Sequence, residues 1–178
     1  MNKRKVILYI SMSLDGFIAT QDDDLSFLSI VEKEGEDYGY TEFSKQIDTY
    51  IVGRKTYDKV IELVGYFPAA KDYDCYVITR QQIPNVKNVT FYNGDIIELI
   101  EALQAQEGKH IYCDGGGEIV KLLMDDDLID EYIISVIPTI LGDGKRLFVG
   151  NTSSRKLKLI SLKEYDTGLV QFTYQRNR

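Results

Sequence analysis

Up to Asp130 the apolar positions follow two alternating rhythms. Short runs rich in β-branched and aromatic residues, at 5–11, 49–53, 73–79, 89–92 and 111–114, read as buried strands. Between them apolar residues recur at helical spacing, at 40–46, 55–63, 96–103 and 118–124, and a short helix is read in LSFLSIVEK at 25–33. Asp95 is placed to cap the helix at 96–103, and Gly108 to end it. Strands that alternate with helices predict a largely parallel sheet covered on both faces.

Beyond Asp130 the rhythm changes. EYIISVIPTIL, KRLFVG, KLKLISLKEY and LVQFTYQR read as strands, with turns at Gly142-Asp-Gly and Asp166-Thr-Gly. No helix separates them, so they are expected to pair as an antiparallel end of the same sheet. The expectation is a single three-layer α/β domain over 1–178, with a mixed, mostly parallel sheet of about eight strands.

Composition narrows the function. At 178 residues and 44% apolar, the chain fits one domain with a sizeable core. A net charge of −7 argues against a general binder of nucleic acid or anionic membranes, which needs a basic face. No apolar run is long enough to cross a bilayer. Met1-Asn-Lys-Arg-Lys leads into a short strand, not a cleavable leader. Cys75 and Cys113 lie far apart and read as reduced core thiols of a cytoplasmic protein. The sequons at Asn88 and Asn151 are then without consequence. No metal is expected, because His110 is the only histidine and the acidic stretches at 22–24 and 125–127 lack calcium-loop spacing. Asp15 reads as a turn residue.

The candidate chemistry sits at three strand ends. In KHIYCDGGGEIV a strand runs into Gly115, Gly116 and Gly117, and a helix starts at once. Glycine puts no Cβ in the way of a phosphate, and the helix start offers free N–H groups and a positive dipole end. One glycine would serve a tight turn, and three point to a ligand. The run lacks GxGxxG, so an ordinary Rossmann reading fails. At Gly53-Arg54-Lys55-Thr56 a second strand gives way to a helix. Arg54 offers a planar fork and Thr56 a hydroxyl, and basic residues are disfavoured at that position without a reason. Thr79-Arg80 ends a third strand with another hydroxyl and guanidinium. The three ends form a basic, glycine-lined rim suited to a dinucleotide: glycines for the pyrophosphate, and Arg54, Thr79 and Arg80 for a ribose 2′-phosphate.

These motifs resemble the dihydrofolate reductase superfamily, and more closely its branch containing the reductase domain of bacterial riboflavin biosynthesis, the RibD C-terminal domain. The matching pieces are SMSLDGFIA from Ser11, VGRKTY from Val52, YVITR from Tyr76, CDGGGEIV from Cys113 and IPTILGDGKRLF from Ile137. The resemblance implies a dihydrofolate reductase-like fold and an NADPH-dependent reductase of a small pterin- or pyrimidine-like heterocycle. Ser11, Ile18 and Ala19 would meet the nicotinamide. Gly53, Arg54, Lys55 and Thr56 would meet the phosphates, and Thr79 and Arg80 the 2′-phosphate. Gly115, Gly116, Gly117, Glu118 and Ile119 would wrap the pyrophosphate. A homodimer through the C-terminal strands is also implied.

Folate reductases hold the pterin with a carboxylate on the helix before the strand that ends in the GR(K)T motif. An ungapped count back from Gly53 places Asp37 there, with Tyr38 beside it. Asp37 is thus the expected catalytic or substrate-orienting acid. The chain has no Trp, and TQDDDLSF at 20–27 stands where the folate enzymes carry Trp-x-Leu-Pro. The second reading is a dimeric nucleotide-binding or sensor module without turnover, which keeps the rim and does not need Asp37.

Overall fold

The structure is a computed structural model that describes residues 3–150 and 153–177; Met1, Asn2, Arg178 and the sequon's Asn151 and Thr152 lie outside them. Its strands are β1 (Val6–Ser13), β2 (Phe17–Ala19), β3 (Ile47–Gly53), β4 (Asp74–Ile78), β5 (Val89–Tyr92), β6 (His110–Gly115), β7 (Glu131–Ile137), β8 (Lys145–Arg146), β9 (Leu157–Glu164) and β10 (Val170–Arg176). Its helices are α1 (Tyr40–Ser44), α2 (Arg54–Val64), α3 (Ile96–Ala105) and α4 (Gly117–Asp125), with 3-10 turns at Ser26–Val31 and Pro68–Lys71.

Eight strands form one sheet in the order β5-β4-β3-β6-β1-β7-β10-β9. Every neighbouring pair from β5 to β7 is parallel, and β10 is antiparallel to both β7 and β9. This is the mixed, mostly parallel sheet expected from the sequence. Two details differ. Of KRLFVG only Lys145–Arg146 is a strand, and it leaves the main sheet to pair with β2. The long segment after β7 carries the chain to the edge of the sheet, where β9 lies, and β10 then returns between β9 and β7.

Period-two alternation buries both faces of the central strands. Val6, Leu8, Ile111 and Cys113 join a core with α3 and α4. Ile7, Tyr50, Val52 and Tyr112 join another with Phe43 of α1 and, partly buried, Tyr57, Val60 and Ile61 of α2. This gives the three layers. Asp95 caps α3 as expected, its Oδ1 accepting from the N–H groups of Ile97 (2.7 Å) and Glu98 (3.3 Å).

Gly108 does not end α3, which stops at Ala105. It serves a buried junction at the amino ends of the strands. Arg4, 4% exposed, donates from Nε to Lys109 O (2.6 Å), from Nη1 to Leu103 O (3.0 Å) and from Nη2 to Thr49 Oγ1 (2.6 Å) and the Asp48 carboxylate. Gly108 passes over this junction at φ +154°, where a Cβ would stand 2.5 Å from Asp48 Oδ2 and 3.1 Å from Arg4 Cζ. Gly108→Ala should therefore cost about 1–3 kcal/mol. Circular-dichroism melting would show it as a Tm lower by several degrees, and an unchanged Tm would contradict the crowding.

Candidate functional site

The carboxyl ends of β4, β3, β6 and β1 are consecutive in the sheet, so the three phosphate-suited ends are neighbours. Thr56 Oγ1, in the first turn of α2, lies 3.5 Å from the N–H of Gly116 and ties two of them together. Lys55 and Glu118 form a 3.0 Å ion pair across the same gap, both well exposed and so of little energetic weight. Arg54 donates from Nε to Asp58 (2.6 Å), and its guanidinium lies 5.4 Å from the Phe91 ring centroid. Its Nη1 is buried and has no hydrogen-bond partner among the described residues. An orphaned guanidinium donor at a strand end is the kind of group a phosphate oxygen would satisfy. Arg80 is exposed, and Thr79 Oγ1 accepts from the N–H of Gln81.

The three glycines have separate tasks. Gly115 has φ +110°, a conformation for glycine. Gly117 packs against the chain at β8, where a Cβ would sit 2.5 Å from Arg146 O. Gly53 likewise makes room for Ile119, whose Cγ1 is 2.9 Å from the place a Cβ would take; Ile119 is buried in the α3–α4 core. Gly116 caps α4 at a negative φ of −46°, and a Cβ there would meet Thr56 Oγ1 at a normal 3.5 Å. The fold accounts for two of the three glycines, and Gly116 is the position left for close approach by a ligand.

A cavity of about 520 Å³ opens between β1, β7 and the segment 28–40. Ser11, Asp37 and Tyr38 line it together, with Tyr9, Tyr40 and Ser135 beside them. Ile18 and Ala19 lie on β2, next to β1, and Ala19 is buried. The turn before β2 is braced by Asp15, which accepts from Ser13 Oγ (2.6 Å), Leu141 N (3.1 Å) and Gly142 N (2.8 Å). These bonds, led by that from Ser13, hold its carboxyl down at about 2. Asp15 thus joins its own turn to the loop at 141–142, beyond its expected part in a turn.

Asp37 does not lie on a helix. It stands ahead of α1 and accepts from Gly39 N (2.8 Å) and Thr41 N (2.9 Å). Its hydrogen bonds with Thr41 and Gly39 lower its pKa, so it is an exposed, charged acceptor on the cavity rim. A different carboxylate stands outside the cavity's lining. Asp114, on β6 just before the glycines, accepts from Tyr112 Oη at 2.7 Å, and burial raises its pKa against the bonds from Tyr112 and Tyr50. Tyr40, pushed up to about 12 by burial, feels the same charge. The sequence signal for Asp114 was a carboxylate within an apolar strand at the mouth of the glycine run.

Gln171 and Ser135 were also not singled out from the sequence. Gln171 Nε2 donates to Ser135 Oγ (3.0 Å), Tyr38 O (3.1 Å) and Tyr9 Oη (3.3 Å), and Tyr9 Oη donates to Tyr38 O (3.0 Å). These bonds grip Tyr38, a non-glycine residue at φ +55°, and so fix the cavity wall.

The profile of the RibD C-terminal domain matches residues 4–171. The chain belongs to this family. It is 41% identical over 175 residues to the uncharacterized protein YwjB of Bacillus subtilis (strain 168), covering 98% of this chain and 99% of that one. Among solved structures, a putative riboflavin biosynthesis protein from Shewanella sp. PV-4 superposes with a TM-score of 0.88 at 28% identity, covering 98% and 99%. A Thermotoga maritima diaminohydroxyphosphoribosylaminopyrimidine deaminase/5-amino-6-(5-phosphoribosylamino)uracil reductase shares the fold, with a TM-score of 0.73 at 15% identity. That match covers 98% of this chain and 57% of the other. The family match confirms the dihydrofolate reductase-like, RibD-type architecture read from the motifs.

The glycine run separates two expected effects. Gly117→Ala should lower Tm by several degrees, because a backbone carbonyl must move, at a cost of about 1–3 kcal/mol. Gly116→Ala should melt like the parent and lose nucleotide affinity by about tenfold or more. Calorimetric titration with NADPH beside thermal melting would check both, and full affinity in Gly116→Ala would remove it from the ligand path.

Proposed function

We propose that this protein is an NADPH-dependent reductase of a small pterin- or pyrimidine-like heterocycle. The orphaned Arg54 Nη1 at the strand-end rim is the observation that carries the reading. Gly116 N–H and the start of α4 favour the pyrophosphate, with Gly115 and Gly117 shaping the turn and Lys55, Thr56, Glu118 and Ile119 framing it. Arg54, Thr79 and Arg80 take the 2′-phosphate. Ser11, Ile18 and Ala19 face the nicotinamide, which supplies a hydride when NADPH is bound. Membership of the RibD C-terminal domain family and the reductase name of the Thermotoga maritima neighbour support the reading.

The protein's own part is to position and to handle the proton. With NADPH bound, its hydride and a proton would together reduce a C=N or C=O bond, and this chain's residues would orient that bond and deliver the proton. Asp37 and Tyr38 orient the heterocycle at the cavity rim. Asp114 keeps its proton to higher pH than an ordinary aspartate, which suits it to feed the reacting end through the tyrosines around it. The described residues include no helix long and apolar enough to cross a membrane. We place the enzyme in the cytoplasm.

NADPH should quench tyrosine emission and raise Tm. Arg54→Ala with Arg80→Ala should weaken NADPH at least about tenfold more than NADH, in keeping with the loss of charge-assisted bonds. Equal losses would end the 2′-phosphate assignment. NADPH oxidation with pterins and pyrimidines should fall about 100-fold in Asp114→Asn, a general-acid effect, with a smaller loss and a raised KM in Asp37→Asn. Binding of NADPH with no turnover across the panel would favour the sensor reading.

The proposed homodimer is assigned to the face of β9 and β10 that carries Leu159, Leu162, Phe172 and Tyr174. Leu159 and Leu162 are about half exposed, at 50% and 48%. Leu162→Lys should shift the protein from dimer to monomer mass in light scattering, with its melting curve retained. A dimer in the variant would move the interface elsewhere.

A further inference from the structure

Charge is divided between the two halves of the site. Arg54, Lys55 and Arg80 all stand at the ends of β3 and β4. The cavity between β1 and β7 instead has Glu32, Glu34, Glu36 and Asp37 in its wall, against one lining cation, Lys33. Lys33 is engaged by Asp166 at 3.0 Å. A second cation stands near: Lys163 Nζ is 3.9 Å from the place a Gly39 Cβ would take. Glu36 accepts from Tyr38 N (2.8 Å) and Asp37 from Gly39 and Thr41, so both carboxylates are held in place. Glu32 and Glu34 are exposed and have no ion pair among the described residues.

The cavity interior has a different character. Leu28, Val31, Ile137 and Leu169 line it with apolar surface, and Tyr9 and Tyr40 present rings set edge to face, 5.8 Å between centroids. Across the sheet the row Ser11, Ser135, Gln171, Lys163 supplies neutral hydrogen-bonding groups before it reaches a charge. An apolar, aromatic slot with neutral polar groups beneath and carboxylates above accepts a flat ring carrying N–H donors. A phosphate at that rim would meet four carboxylates, Glu36 and Asp37 of them held in place, against Lys33, which Asp166 engages, and Lys163 beside Gly39.

We infer that the cavity takes a flat, uncharged or cationic heterocycle and turns away its phosphorylated form. The inference rests on the reductase reading of the same cleft and sets its substrate class. It separates this chain from an enzyme that acts on a phosphoribosyl compound, such as the one named for the Thermotoga maritima neighbour. Glu32 and Glu34 are the residues that set the discrimination.

Neopterin and neopterin monophosphate are a matched fluorescent pair, with and without the phosphate. The full chain, with and without NADPH, would be titrated against each at low and high salt. Neopterin should bind at least about tenfold more tightly than its monophosphate at low salt, and salt should narrow the gap. Glu32→Lys combined with Glu34→Lys should close most of it. Equal or tighter binding of the monophosphate would overturn the inference, as would failure of neopterin to bind at millimolar concentration. A gap unchanged in the double variant would also overturn it. NADPH titrated into the same samples keeps the two readings apart. A neopterin preference without NADPH binding removes the reductase and leaves the charge selection. NADPH-driven turnover confined to phosphorylated substrates does the reverse.

Discussion

The buried guanidinium of Arg4 is the constraint on which the sheet depends. Parallel strands cannot be joined by tight turns, so their register must be set by crossovers and by contacts at the strand ends. Arg4, just ahead of β1, reaches Asp48 and Thr49 on β3, Leu103 at the end of α3 and Lys109 at the entry to β6. Its backbone carbonyl in turn accepts from Gln104 Nε2 at 2.9 Å. A buried charge is tolerated because its partners are all present, and removing one leaves an uncompensated ion that costs about 3–5 kcal/mol. With β1, β3 and β6 tied together at their amino ends, their carboxyl ends lie side by side in the sheet, and the phosphate-suited loops project from neighbouring strands.

Much of this was legible in the chain. The alternation of apolar runs located the strands of the sheet and all four helices to within two residues at each end of the helices, because burial on both faces leaves a strong pattern. The pattern failed where pairing is decided at long range. KRLFVG has strand composition, yet only Lys145 and Arg146 pair, and they pair with β2. Nothing local to 145–150 could say so. Gly108 looked like a helix end and instead clears space for a salt bridge between residues far apart in sequence.

The site was legible in the same uneven way. The neighbourhood of Gly53, Thr79 and Gly115 followed from strand ends alone. The glycine run itself carried less ligand information than its length implied, since Gly115 answers to φ and Gly117 to the carbonyl of Arg146. The count that led to Asp37 reached the cavity wall but not a helix. Asp114 lies inside the CDGGGEIV stretch, but its significance comes from burial among Tyr40, Tyr50 and Tyr112, which no linear spacing reveals.

The grip of Tyr9 and Gln171 on the Tyr38 carbonyl has a consequence for ligand binding. The left-handed backbone at Tyr38 is imposed by residues from β1 and β10, and its side chain is held by Val31 and Thr167. The ordering of this wall is therefore completed when the chain folds. A ligand arriving at the cavity meets a surface already in its final shape, and little conformational entropy remains to be lost on docking. At Tyr38 the slot is thus preset, and a ligand that meets this part of the wall has no backbone there left to order.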